Sequence, residues 1–271
     1  MVREQAPPSK LASTAHWLIG IDDTDNVDSR GTGYRARQLV AALEAADIAT
    51  GLGVTRHQLL VDDRVPYTSH NSCACLEVDS AVSGADLAAF CRDHLIEHAA
   101  DGADVGLCLA PAAAGGGATA FGRRAKTELM VREEAHALAA SLEFALEGLT
   151  GTRDGVIGAL AGIGLFADGN DGRYIWKRRL RELTGQTVTL SSLTGLTGID
   201  DVVDETLTSV LPGGGDVRVA LGDWPRPVRI DGRSVLLVRR KVYSETADTP
   251  LERGQRFYEC IEKSRVKALR P

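Results

Sequence analysis

The sequence predicts a mixed fold, an α+β / α/β protein in which an N-terminal α/β domain is followed by a second, α+β domain. Three observations carry this. Strand-length apolar runs alternate with helical periodicities up to about residue 110. A small, glycine-rich, uncharged stretch then interrupts the pattern at 111–118. Beyond residue 187 the apolar runs become short and are separated by hairpin signals. A chain of 271 residues has room for one or two such domains.

Taken in order, residues 1–14 read as a flexible leader, because they carry charge but no apolar run. Residues 16–21 form the first strand, and 33–46 a helix with Leu39, Val40, Leu43 and Ala46 on one face. A strand at 50–54 leads through a polar segment to a strand at 72–78, where Cys73, Ala74, Cys75 and Leu76 leave both faces apolar, as in a central strand. A helix at 84–99 and a strand at 104–109 complete a βαββαβ-like order. The first domain thus spans 15–112, and 111–118 is the expected connection. The second, 119–250, opens with a helix over 128–149, continues with the apolar, glycine-rich segment 155–163, and enters a strand at 173–178 through the turn residues 168–172. Hairpin signals stand at 211–216 and 231–232, and 251–271 closes the chain as a basic helix.

With 44% hydrophobic and 25% charged residues, most of the chain is expected to fold. A net charge of −6 argues against a protein that lives by non-specific attraction to phosphate backbones or anionic lipid. No uncharged run is long enough to span a bilayer, so no membrane partner is expected and the expected compartment is the cytoplasm. Five cysteines without a CxxC pair suggest neither a disulfide framework nor a zinc ribbon.

The most informative segment is IGIDDTDNVDSRGTGYRARQL, 19–39, where a strand delivers Asp22, Asp23 and Asp25 into a loop. Carboxylates this crowded repel unless a proton or cation sits among them. Mg2+ suits Asp23 and Asp25, being commonly held by one or two carboxylates together with substrate phosphates. Arg30, Gly31, Thr32 and Gly33 follow and offer what phosphates need: a guanidinium fork, close backbone approach and the N–H groups of a helix start. The same residues also fit a purely structural reading, with Asp25 in an Asx-turn and Thr32 as helix N-cap.

IGIDDTD with GTGY downstream resembles the opening motif of the archaeal tRNA-isoleucine agmatinylcytidine synthetase family. RVPYTSHNSCACLEV, 64–78, is similar to that family's Pro-Tyr segment and following strand, and GVIGALAGIG, 155–164, to the signature of its ferredoxin-like, amine-binding domain. The resemblance implies a kinase-like domain over 15–112 and a ferredoxin-like acceptor-binding domain over 119–250. It implies ATP and Mg2+ as cofactors, Thr32 as the residue that is phosphorylated, and Asp22, Asp23 and Asp25 as its catalytic company, with Arg30, Gly31 and Gly33 on the nucleotide. Tyr67, His70, Asn71, Gly155 and Gly158 fall on the substrate side. Where the family has Lys, Thr and Arg the chain has Thr68, Ser69 and His70, so two cationic side chains are missing, and with no CxxC the OB-fold and zinc ribbon that hold tRNA in the family are not expected here.

Arg56 and His57 are candidates to replace those cations. His94 to His98 spells H-x-x-E-H, but on a helix face shared with Leu87 and Cys91 it reads as core margin rather than metal site. The function expected from these readings is Mg-ATP-dependent phosphoryl transfer that activates a nucleoside or small-molecule acceptor for conjugation with an amine, with a homodimer compatible with the sequence. Two alternatives are a tRNA-modifying enzyme with a separate RNA-binding partner, and a regulatory module that binds nucleotide without turnover.

Overall fold

The computed structural model describes residues 14–65, 71–213, 217–241 and 257–261. Its first part runs β1 (Ala15–Asp22), α1 (Thr32–Ala45), β2 (Ala49–Gln58), β3 (Ser72–Ser80), α2 (Gly84–His98) and β4 (Gly106–Pro111), so the expected βαββαβ order is present. All neighbours in the resulting order β4-β1-β3-β2 are antiparallel. Period-two alternation sorts the side chains between two layers. Ile19, Ile21, Ala74, Leu76 and Val78 pack under α1 and α2, while Leu18, Cys73, Cys75 and Cys108 face the opposite side. This is why β3 reads as apolar throughout.

The opposite side is covered by elements that follow residue 118: α3 (Thr119–Arg124), α4 (Arg132–Ser141), the edge strand β5 (Ala145–Gly148) and α5 (Val156–Asp168). One apolar core includes Leu18, Cys75 and Cys108 together with Phe121, Ala139, Leu160 and Phe166. The break expected at 111–118 therefore does not coincide with a break between cores. Those residues form a 3-10 helix, Ala112–Ala118, with Gly115 and Ala118 buried, instead of a flexible connection. Nor does a helix fill 128–149. Glu143 adopts a left-handed φ of 57°, which ends α4 and turns the chain into β5 against β4.

α5 approaches the sheet through missing side chains. A Cβ on Gly20 of β1 would stand 2.0 Å from the carbonyl oxygen of Ala159, a contact no side chain can make. The strand β6 (Arg173–Lys177) then pairs with β2 and extends the same sheet. A further core follows, built from β7 (Thr187–Thr189), α6 (Leu190–Thr197), β8 (Asp201–Val203), β9 (Arg218–Ala220), β10 (Val228–Ile230), β11 (Arg233–Arg240) and β12 (Phe257–Cys260). This part contains the expected short strands, but the βαββαβ order lies in the N-terminal part and not within 119–250. β12 is a strand inside the span expected as a basic helix; the remainder of that span lies outside the described residues, except Ile261. β6 meets β10 at a single registered pair, Val228 with Arg173. No helix among the described residues is long and apolar enough to cross a membrane.

Candidate functional site

The loop between β1 and α1 divides its residues between two cavities. Asp22 and Asp23 line one of about 400 Å³, together with Asn71, Asp104, Asp154 and Gly158. Asp25, Arg30, Gly31, Thr32 and Gly33 line another of about 420 Å³. The nucleotide-side residues expected from sequence thus converge, and so do Asp22, Asp23, Asn71, Gly155 and Gly158 on the other side of the loop. Tyr67 and His70 lie outside the described residues.

The acidic cavity is assembled by strand order. β4 runs antiparallel beside β1, which sets Gly106 opposite Asp22 and brings Asp104 to the end of β1. Asp104 accepts from the backbone N–H of Thr152, and its carbonyl accepts from Gly155 N at 2.9 Å, so the turn before α5 is tied to it. Arg132 Nε lies 3.0 Å from Asp154 Oδ1 at the rim. The Asp22 carboxyl fills the place where Gly158 lacks a side chain; a Cβ there would sit 1.8 Å from its Oδ2. Burial, with Asp23 and Asp25 adding to it, pushes the Asp22 carboxyl up to about 8. Asp23, held at a left-handed φ of 51°, is raised to about 6 by burial and by Asp104, Asp25 and Asp154. Near neutral pH this cavity therefore favours a proton or a cation over bare carboxylates.

At the second cavity the helix cap differs from the expected one. Gly31 is the N-cap of α1 and Thr32 its first residue. The capping group is Asp25, whose Oδ1 accepts from Thr32 N and from Thr32 Oγ1, both at 2.8 Å. Thr32 Oγ1 in turn accepts from Thr24 Oγ1 at 3.3 Å. A carboxylate thus already stands where an anion meets a helix start. Gly33 is required by packing, since a Cβ would press on Ile175 at 2.9 Å, whereas at Gly31 the nearest atom would be 3.8 Å away. Arg30 stacks over the Tyr34 ring at 4.7 Å.

No three or more His, Cys, Asp or Glu side chains among the described residues converge in a way that could hold a metal ion. Asp23 and Asp25, the pair expected to hold Mg2+, line different cavities, and a cation held by either carboxylate would complete its shell with substrate oxygens, as is common for Mg2+.

Sequence reasoning missed Asp104, whose neighbourhood depends on the β1–β4 pairing, and Arg37, which borders the second cavity. Of the two residues offered as replacement cations, Arg56 lines the second cavity and bonds Ser72. His57 does not reach it. Its ring is buried between Thr55 Oγ1 and Asp171 Oδ1, both at 2.8 Å, and Asp171 also binds Lys126. His94 and His98 stack on one another at 4.3 Å, at the margin of α2.

The fold and these cavities define a mixed α+β architecture with a carboxylate loop at the end of a central strand. One solved structure shares that fold over 55% of this chain, and others are similar to it. A complex of TiaS with an isoleucine tRNA and ATP matches at 21% identity over 55% of this chain and 36% of its own, with a TM-score of 0.50. An apo TiaS, described as a tRNA-isoleucine agmatidine synthetase, matches at 20% identity, 55% and 35% coverage and TM-score 0.49. A tRNA fluorescent labeling enzyme matches at 22% identity, 55% and 36% coverage and TM-score 0.49. The match thus spans about a third of the length of those chains. No family profile and no curated protein sequence matches the chain.

Proposed function

We propose that the protein is a Mg-ATP-dependent transferase of kinase-like type that activates an acceptor for conjugation with an amine. The observation that carries this reading is the 2.8 Å contact between Asp25 Oδ1 and Thr32 Oγ1 at the wall of a cavity that also presents Arg30 and a helix start. It puts a carboxylate within reach of the hydroxyl proton, the relation a phosphoryl acceptor needs. The fold likeness to a protein whose complex holds ATP and tRNA supports the reading.

In this scheme Asp25 orients the Thr32 hydroxyl and takes its proton as the oxygen attacks the γ-phosphorus and ADP departs. Arg30 stabilises the charge on the transferring group. Asp25, on the nucleotide side of the loop, is the residue that would hold Mg2+, which when bound would neutralise charge on the phosphates. On the other side of the loop, the acidic cavity receives the cationic amine. An alkylammonium must lose a proton before it can attack, and Asp22, raised to about 8, accepts it in its ionised form, whose share grows as pH rises toward 8.

The test is incubation with Mg2+ and γ-labelled ATP followed by peptide mass spectrometry across 19–39. Label is expected on Thr32, absent in Thr32→Ala and reduced at least about 100-fold in Asp25→Ala. Full ATP turnover by Asp25→Ala, or ATP binding with no label at all, would overturn the scheme. The second result would favour a nucleotide-binding regulatory module.

A further inference from the structure

A third cavity, of about 1360 Å³, opens at the end of β2 and β3 remote from the carboxylate loop, with Glu77, Tyr174, Lys177, Asp200 and Arg229 among its walls. It shares no lining residue with the two cavities at that loop. Strand register sets its inner charges. Glu77 of β3 stands opposite Gly53 of β2, and Gly53 opposite Lys177 of β6, so both charges rise on one face with a bare position between them. The Tyr174 ring occupies the space over Gly53, where a Cβ would lie 2.7 Å from its Cε1 and 3.7 Å from Lys177 Cδ. Glu77 and Lys177 therefore stand two strand spacings apart, about 10 Å between Cα atoms, and form no ion pair with each other.

Lys177 is the unusual member of this group. With 8% of its surface exposed, it is the one buried lysine or arginine among the described residues. The other buried charged side chains are bonded, His57 to Asp171 and Asp201 to Arg233. Lys177 Nζ forms no hydrogen bond or ion pair among the described residues and stands 5.1 Å from the centre of the Tyr174 ring. A buried ammonium without a counter-charge is costly. Burial pushes the Lys177 pKa down, Glu77 and Asp200 oppose that, and Arg229 adds to it, so the four groups sense one another without pairing. Each of the other three is tied elsewhere: Glu77 meets His16 Nε2 at 3.3 Å, Asp200 accepts from Ser234 N and Oγ, and Arg229 donates to Phe166 O and Tyr174 Oη.

Two cations and two carboxylates that share a cavity without closing on one another select a ligand by charge. An anion alone meets Glu77 and Asp200, and a cation alone meets Lys177 and Arg229; a molecule that carries both signs at short range satisfies both pairs. The short span between Glu77 and Lys177 suits an ammonium and a carboxylate on one carbon, and not the two ends of a peptide. Ile48, Leu52, Trp176 and Leu196 give the same cavity an apolar wall. We propose that this cavity binds a free amino acid with an apolar side chain, its carboxylate on Lys177 and Arg229 and its ammonium on Glu77, with Asp200 at the mouth. The proposal does not rest on the transferase reading.

The experiment is isothermal titration calorimetry of the full chain with L-leucine and L-phenylalanine, each beside the acid and the amine that lack one of its charges. These are 4-methylpentanoate and 3-methylbutylamine for the first, and 3-phenylpropanoate and 2-phenylethylamine for the second. An amino acid is expected to bind at least about 10-fold more tightly than its matched acid and amine. Lys177→Met and Glu77→Gln should each weaken that binding by about 10-fold or more. Lys177→Met removes a buried charge instead of stranding one, so the fold should persist, which circular dichroism checks. No binding of either amino acid, unchanged affinity in the two folded variants, or a matched acid or amine that binds as tightly and weakens in the same variants would overturn the proposal.

Discussion

Gly158 and Asp22 share one volume, so each constrains what the other can be. Gly158→Ala would force its methyl into the Asp22 carboxyl, and a loss of about 1–3 kcal/mol in stability by denaturant unfolding is expected. Gly195→Ala in α6, where a Cβ meets nothing within 4 Å, should gain up to about 1 kcal/mol by the same measurement. The raised carboxyls set a pH dependence whose sign is fixed. Unfolded, Asp22 titrates near 3.8; folded, it does so at about 8, so across that interval the folded state binds the extra proton. The stability contribution is therefore full below the unfolded value and is lost as pH rises toward 8. Urea midpoints measured between pH 5 and pH 8 should fall, Asp22→Asn should flatten the descent, and Mg2+ should restore more stability at pH 8 than at pH 5. A midpoint that rises with pH in the wild type and not in Asp22→Asn would contradict the burial of this acid. The carboxylate loop itself was legible in the sequence, because three aspartates after an apolar run announce crowded charge. Its division between two cavities was not, since Asp25 is drawn to Thr32 by a bond spanning seven positions.

At the scale of elements, α1 was readable from Leu39, Val40 and Leu43, which the structure buries against β2 and β3. The glycines of α5 supported two readings, substrate contact or close packing. Gly162 and Gly164 lie against the backbone of Ala74 and Ala118, while Gly155 and Gly158 both pack closely and line the acidic cavity. Element ends were harder to read: nothing in Glu143 announces a left-handed turn, so α4 and β5 merge into one expected helix. The ties between elements are equally non-local. His57 of β2, Asp171 before β6 and Lys126 after α3 form one bonded group. Burial opposes the Asp171 charge, yet the bonds from His57 and Lys126 hold its carboxyl down at about 2. Here the sign is reversed, and stability present above about pH 4 is lost as pH falls toward 2. Asp171→Ala strands a buried imidazole and should cost about 1–3 kcal/mol, read as a lowered urea midpoint at pH 7.

Across the whole molecule, the mixed class was foreseeable from alternating periodicities, but the sharing of cores was not, because the glycine-rich residues 112–118 have a linker's composition and a core's environment. A fragment ending at residue 112 keeps every strand of the βαββαβ unit and loses the layer that covers Leu18, Cys73 and Cys108. It should show no cooperative thermal transition by circular dichroism, whereas a fragment ending at 178 should retain one. The sheet continues past that point through the single registered pair of β6 with β10, flanked by the bonds from Tyr174 N to Pro227 O and from Arg229 N to Gly172 O. The bonds from Arg229 Nε to Phe166 O and from Gly232 N to Gly169 O also cross this waist, and with so few ties the sheet is expected to bend there first. Amide protons at this waist should exchange with solvent sooner than those of β1 and β3, and flexing about it changes the spacing between Trp224, in the loop before β10, and Thr32 at the head of α1. The sheet is thus expected to act as two stiff leaves on a common spine, which that exchange pattern checks.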